Sequence, residues 1–265
     1  MNKKISIIGG GNLGTAIAEG LIQSGFVSAK HILITKRNIQ TLHELERKGV
    51  LVSDKNEEAV RYADLVILAV KPFQVDSVLT ALKDEFRPEK QVLVSVVTGI
   101  SIDHLARHVG KSLPVVRAMP NTAIAIQESM TCIAAQGVGE EQLQYVLDLF
   151  NQLGKAVRID EKLMDAATVL GACGTAFAMR YIRANIQGGI EIGFDAATAN
   201  LIAAQTVKGA AELLLTKGSH PEQEIDKVTT PKGCTIAGLN EMEHRGFSSS
   251  LIKGLVASYD KIAKD

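Results

Sequence analysis

Lys4-Ile5-Ser6-Ile7-Ile8 runs straight into Gly9-Gly10-Gly11-Asn12-Leu13-Gly14, and apolar residues at helical spacing follow from Ala16 to Leu21. A β-branched run, a glycine turn and a helix, in that order, constrain the fold more than any other feature of the chain. They specify the opening unit of a sheet whose strands are joined by helices, with the main chain laid bare at the turn. Gly9 allows the tight turn, Gly11 lets backbone meet a ligand closely, and Gly14 lets the helix pack against the strand. Unpaired amides at a helix start favour an anion, so the turn suits the pyrophosphate of a dinucleotide. A glycine turn kept for packing alone is the competing reading.

The next strand narrows the choice of nucleotide. His31-Ile32-Leu33-Ile34-Thr35 ends in Thr35-Lys36-Arg37-Asn38, where a dinucleotide fold that binds a free ribose 2′-hydroxyl carries an acid. Two cations and two small polar groups suit a 2′-phosphate instead, with Arg37 as the main contact. The expected cofactor is NADP(H), with NAD(H) as the alternative, and solvated surface cations are the plain account of the same residues.

Charge excludes other classes of partner. Lys plus Arg and Asp plus Glu number 29 each among 265 residues, so no net field draws the chain to nucleic acid or to an anionic membrane. The first residues enter a strand directly, without the pattern of a secretory leader. The longest uncharged stretches, near 166–179 and 196–207, fall short of the roughly 18 residues that span a bilayer. Cys132, Cys173 and Cys234 are odd in number and far apart, which reads as reduced thiols in a cytoplasmic protein. His104 and His108 share an i, i+4 spacing, but no neighbouring acid completes a zincin pattern, so they read as a solvated helix face and no metal is expected.

The chain reads as two halves: an α/β fold with an N-terminal Rossmann-type doubly wound sheet over residues 1–160, followed by an all-helical C-terminal domain over 161–265. In the first, Leu65–Val70, Gln91–Val96 and Pro114–Met119 are nearly continuous apolar runs, as strands of a parallel sheet buried on both faces require. Ligands collect beyond the carboxyl ends of such strands. Here those ends are Ala69-Val70-Lys71-Pro72, Val97-Thr98-Gly99 and Met119-Pro120-Asn121-Thr122. Gly154 to Asp160 reads as a last edge strand. After Asp160 the β-branched runs stop. Segment 196–215 carries Leu201, Ile202, Ala204, Val207, Ala210, Ala211, Leu213 and Leu214 on almost every helical face. A helix apolar all round must be covered by protein, and about 105 residues supply few other helices to cover it. The expectation is a dimer with intertwined helices; a central helix in a monomeric bundle is the rival.

Beyond the glycine turn, Val228-Thr229-Thr230-Pro231-Lys232-Gly233-Cys234-Thr235-Ile236-Ala237-Gly238-Leu239 is the most suggestive stretch. Pro231 and Gly233 make a turn, and Ile236, Leu239 and Met242 return at helical spacing, so Thr235 falls at a helix start. Free amides of Gly233, Cys234 and Thr235 there favour a carboxylate, and the Thr235 hydroxyl is a hydrogen-bonding group for a reacting nitrogen. An ordinary threonine N-cap is the competing account.

These segments, together with Arg117-Ala118-Met119-Pro120-Asn121-Thr122, occur in an order and at separations that resemble pyrroline-5-carboxylate reductase along the whole chain. Residues 228–239 are similar to that family's signature, usually Val-Thr-Ser-Pro-Gly-Gly-Thr-Thr-Ile-Ala-Gly-Leu. The resemblance implies NAD(P)H-dependent reduction of 1-pyrroline-5-carboxylate to L-proline, the last step of proline biosynthesis, in a domain-swapped homodimer that often assembles into decamers. It implies that Gly11, Asn12 and Leu13 approach the pyrophosphate, that Thr35, Lys36 and Arg37 take the adenosine phosphate, and that Asn56 reaches the adenosine ribose. It further implies that Ala69, Lys71 and Pro72 border the cofactor and that Asn121 lies near the nicotinamide. It also implies that the amides of Gly233, Cys234 and Thr235 hold the substrate carboxylate and that Thr235 meets the ring nitrogen as the catalytic residue. Two departures stand out. Ala172-Cys173-Gly174-Thr175-Ala176-Phe177 replaces the family's Gly-Ser-Gly-Pro-Ala-Tyr, and Lys232 replaces the first glycine of the signature pair, either pointing to solvent or adding a cation beside the carboxylate site. A related imine or β-hydroxyacid reductase and a non-catalytic NADP(H)-binding sensor are the alternative functions.

Overall fold

The computed structural model describes residues 3–110 and 112–262. Its contacts divide the chain into two compact units, Met1–Cys173 and Gly174–Asp265.

The first unit is built on an eight-stranded sheet. Its strands are β1 (Ile5–Ile8), β2 (Ile32–Thr35), β3 (Leu51–Ser53), β4 (Leu65–Leu68), β5 (Val92–Ser95), β6 (Val115–Met119), β7 (Ser129–Gln136) and β8 (Gly154–Arg158), in the order β3-β2-β1-β4-β5-β6-β7-β8. The helices of this unit are α1 (Asn12–Gln23), α2 (His43–Arg47), α3 (Asn56–Tyr62), α4 (Val75–Leu82), α5 (Ile102–Val109), α6 (Glu140–Asn151) and α7 (Met164–Ala167). Alternation along each strand sorts the core into two layers. Ile5, Ile7, Ile32, Ile34, Val92 and Val94 pack with Ile17 and Leu21 of α1 and with Val146 and Phe150 of α6. Ile8, Leu33, Val66, Leu68 and Leu93 pack on the other face with Val60 of α3, Leu79 of α4 and Leu105 of α5. Both faces being covered, β1, β2, β4, β5 and β6 are buried throughout, and this is why they read as unbroken apolar runs.

Three details depart from the sequence reading. The sheet is mixed: β7 runs antiparallel to β6, and β8 then pairs parallel with β7 at the edge. Neither β3 nor β7 is legible in the sequence, since β3 is short and part-exposed and β7 alternates buried and half-buried residues. The helix read from Ala16 starts at Asn12, because Gly11 sits in extended backbone (φ −84°, ψ −170°) as its N-cap. The unit ends in a π-helical stretch, Thr168–Cys173.

The second unit is all helical: α8 (Gly174–Glu191), α9 (Ala196–Lys217), α10 (Pro221–Lys227), α11 (Cys234–His244) and α12 (Phe247–Ile262). Asp195 caps α9, its carboxylate accepting from the amides of Ala197 (3.0 Å) and Thr198 (3.1 Å). Ile186 of α8 with Ala199 and Ala203 of α9 forms a small core. The remainder of α9 is not enclosed by its own chain: Leu201 is 68% and Leu215 71% exposed. The central helix of a monomeric bundle is therefore not what α9 is. Among the described residues no helix is long and apolar enough to cross a membrane.

Candidate active site

A cleft of about 670 Å³ opens at the carboxyl ends of β1, β2, β4 and β5, astride the point between β1 and β4 where strand order reverses. Gly9, Gly11, Asn12 and Leu13 line it after β1; Thr35, Lys36 and Arg37 after β2; Asn56 from the start of α3; and Ala69, Lys71 and Pro72 after β4.

The three glycines of the turn have three separate reasons to be glycine. Gly9 has φ +113°, and a Cβ there would stand 2.5 Å from the carbonyl oxygen of Ala69. Gly14 lies beneath the cleft, where a Cβ would stand 2.1 Å from the Gly9 carbonyl oxygen. A Cβ on Gly11 would meet no protein atom within 4 Å. Packing thus explains the first and third glycines and leaves the middle one open to a ligand.

Backbone polarity agrees with that division. The amides of Gly9 and Gly10 both donate to the Thr35 carbonyl (3.2 and 2.7 Å), tying the turn to β2. Asn12, Leu13 and Gly14 form the first turn of α1, where amides have no partner inside the helix. No side chain caps that turn, and it contains no acid. It is a set of donors in a positive helix field, suited to a phosphate. Lys36 is half-buried and Arg37 exposed, and among the described residues neither has an ion-pair partner shown. Asp54, just past β3, is an acid on the cleft wall that sequence reading missed along with the strand that brings it there. Ser53 beside it donates to Glu58 at 2.7 Å, and this bond, with the charge of Lys55, holds the Glu58 carboxyl below its usual range.

Two expected contacts have other duties. The Thr35 side chain is buried, and its hydroxyl donates to Asn56 Oδ1 at 2.6 Å, so it orients Asn56 and leaves the Asn56 Nδ2 for a further acceptor. Asn121 is not on the cleft wall. Its Oδ1 accepts from the Ala123 amide (3.0 Å) and its Nδ2 donates to the Gly171 carbonyl (3.2 Å), binding the end of β6 to the π-helical stretch. A further residue that the sequence did not single out is Arg117, a buried cation inside β6. It faces Glu161 at 3.5 Å and Asp165 at 3.8 Å, and Glu161 also accepts the Ile102 amide at 2.6 Å.

In the second unit, α11 begins at Cys234 with Gly233 as its N-cap and no side chain capping it, so Thr235 is not an N-cap. Cys234 and Thr235 hold the first two helical positions, with amides unpaired inside the helix. The Gly233 amide is not free, contrary to the sequence reading: it donates to the Thr230 carbonyl at 2.9 Å, closing the turn. A Cβ on Gly233 would stand 2.6 Å from Thr230 Oγ1, so packing requires this glycine. The helix start therefore offers two amides and the Thr235 hydroxyl.

Comparison with known proteins matches two separate parts of the chain. The family model described as pyrroline-5-carboxylate reductase dimerisation matches residues 161–265, and one described as NADP oxidoreductase, coenzyme F420-dependent, matches residues 4–99. A pyrroline-5-carboxylate reductase of Methanosarcina acetivorans is 36% identical over 98% of this chain and 97% of its own length. The chain belongs to the pyrroline-5-carboxylate reductase family. Pyrroline-5-carboxylate reductase 1 of Dictyostelium discoideum is 48% identical over 98% of this chain, which spans about half (49%) of that longer relative. The solved structure of Plasmodium falciparum pyrroline carboxylate reductase with NADP bound superposes with a TM-score of 0.85 at 28% identity, covering 98% of this chain and 97% of that one.

Against the pyrroline-5-carboxylate reductase pattern, the geometry gives one departure a physical meaning. Lys232 has φ +61°, a left-handed backbone that favours glycine, so the glycine usual in the family signature fits this turn without strain and the lysine does not. The segment 172–177 straddles the end of the π-helical stretch and the start of α8.

Proposed function

We propose that this chain is a pyrroline-5-carboxylate reductase that reduces 1-pyrroline-5-carboxylate to L-proline with NADPH, the last step of proline biosynthesis. The single observation that carries the reading is family membership over nearly the whole chain, together with a cleft whose middle glycine faces no protein atom. Bound NADPH would supply a hydride to the carbon of the C=N bond, which is C2 of the pyrroline ring and becomes Cδ of proline, while the ring nitrogen takes up a proton.

The chain's own residues bind and orient. The amides of Asn12, Leu13 and Gly14 hold the pyrophosphate at the start of α1, with Gly11 giving it room. Lys36 and Arg37 pair with the 2′-phosphate and favour NADPH over NADH, and Asn56, held by Thr35, reaches the ribose. Ala69, Lys71 and Pro72 border the nucleotide, and Asn121 supports the nicotinamide end by fixing the strand end rather than by touching it. The first amides of α11 receive the substrate carboxylate, and the Thr235 hydroxyl orients the ring nitrogen. Such a reaction asks for positioning and charge complementarity more than for an acid–base relay, which agrees with the residues available. Residues 161–265 form the dimerisation and substrate-binding domain of a domain-swapped homodimer, a reading supported by the uncovered apolar face of α9 and by the dimerisation model that matches this half. The three unpaired thiols support a reducing, cytoplasmic setting.

Steady-state NADPH oxidation tests the activity: turnover with 1-pyrroline-5-carboxylate supports it, and turnover confined to other imines or keto acids, or tight binding without turnover, overturns it. Thr235→Ala is expected to lower kcat/KM at least about tenfold, about 1.4 kcal/mol of transition-state stabilisation, with the Kd for NADPH unchanged. Unchanged kcat/KM removes Thr235 from the reaction.

A further inference from the structure

On the face of the sheet opposite α1, helices α4 and α5 lie side by side, anchored by buried Val75, Leu79 and Leu82 on one and Ile102, Leu105 and Val109 on the other. Each presents an i, i+4 pair to the seam between them: Asp76 and Thr80 from α4, His104 and His108 from α5. His104 Nε2 stands 2.6 Å and His108 Nε2 3.3 Å from the same Asp76 oxygen, and the two rings are 5.1 Å apart. Among the described residues this is a group of three potential metal-ligating side chains whose ligand atoms all lie within 4.8 Å of one another. Sequence reading found no acid to complete the histidine pair, because the acid comes from a helix 28 residues earlier.

Three features distinguish the cluster from a chance surface pair. Its ligands project from two helices whose opposite faces are locked in the core, so the donors are preorganised. His108 Nδ1 is 3.2 Å from Thr80 Oγ1, the outer hydrogen bond that turns the other ring nitrogen toward a metal. The Ser101 side chain accepts from the His104 amide at 3.1 Å, fixing the first turn of α5 beneath that ring. Ligand bonds of about 2.0–2.1 Å in a tetrahedron put donors about 3.3 Å apart. The His108 to Asp76 spacing already has that value, and the His104 to Asp76 spacing reaches it with a small swing of an exposed aspartate.

We propose that Asp76, His104 and His108 form a binding site for a divalent first-row transition ion of the zinc class, with two imidazole nitrogens and one carboxylate oxygen as protein ligands and water completing the shell. The mixed nitrogen and oxygen set disfavours calcium and magnesium, which take oxygen ligands. Gln74 and Val78, on either side of Asp76, line the nucleotide cleft, so an ion joining α4 to α5 pins the helix that forms part of the cleft wall.

Calorimetric titration of the full chain with zinc chloride alone tests the proposal. One ion per chain is expected, with affinity at least about tenfold weaker in Asp76→Asn and in His104→Gln/His108→Gln, and with a zinc-dependent rise in Tm that the double variant lacks. None of these residues belongs to the proposed catalytic machinery, so NADPH oxidation in the variants reports that they fold. In the wild-type chain, one equivalent of copper(II) is expected to give an electron paramagnetic resonance spectrum coupled to two ring nitrogens. Absence of saturable zinc binding in the wild-type chain overturns the site, as does zinc affinity or nitrogen coupling that survives in the folded double variant and so belongs to other side chains.

Discussion

At the scale of single residues, the glycine turn separates what the fold needs from what a ligand needs. Gly14→Ala drives a methyl group into the Gly9 carbonyl, so it is expected to cost about 2 kcal/mol of stability, read as a lowered midpoint in urea. Gly11→Ala meets no protein atom and has a backbone that alanine tolerates, but alanine caps a helix less well than glycine, so it is expected to cost less than about 1 kcal/mol. The same methyl group fills the space proposed for the phosphates, and the Kd for NADPH is expected to rise at least about tenfold. A Gly11→Ala chain that binds NADPH normally would refute the phosphate cradle. The glycine turn and the packing of Gly9 and Gly14 were legible in the sequence because their spacing encodes local geometry. The hydrogen bonds of Thr35, Asn121 and Gly233 were not, since each is made to a partner that only folding brings near: Asn56, Gly171 and the Thr230 carbonyl.

At the scale of elements, strands buried on both faces announce themselves, whereas β3 and β7 carry too little or too mixed an apolar signal. The start of α10 shows how an element end carries a charge network that sequence hides. Lys227 donates to Glu224 at 2.5 Å, Ser219 donates to the same oxygen at 2.6 Å, and Lys217 at the end of α9 adds its charge at 3.7 Å. Together they bring the Glu224 carboxyl down from 4.5 to about 2. A carboxyl depressed in the folded state stabilises fully above its unfolded value, and that contribution is lost as pH falls from about 4.5 toward 2. The Tm difference between the wild-type chain and Glu224→Gln is therefore expected to be level above about pH 5 and to close toward pH 2. A difference that stays constant across that window would show that the network does not act through ionisation.

At the scale of the whole molecule, the two units differ in what covers them. The first buries both faces of its sheet under its own helices, while in the second the apolar side chains of α9 and α12 stay exposed, among them Leu201, Leu215, Ile252 and Val256. Large apolar exposure of this kind marks an association surface. Light scattering is expected to give the mass of two chains or of a multiple of two, such as ten, and Leu201→Glu is expected to shift it toward one. A wild-type chain that is monomeric at micromolar concentration would overturn the proposed homodimer.

The α/β order, the buried strands, the glycine turn with its unpaired amides and the family are all written in short-range spacing or in motif order. The folded chain adds that β7 turns back against β6, that Arg117 is buried between Glu161 and Asp165, and that Asp76 meets His104 and His108. Those facts depend on residues far apart in the chain, whose encounter is fixed by which faces of the sheet and helices are buried together.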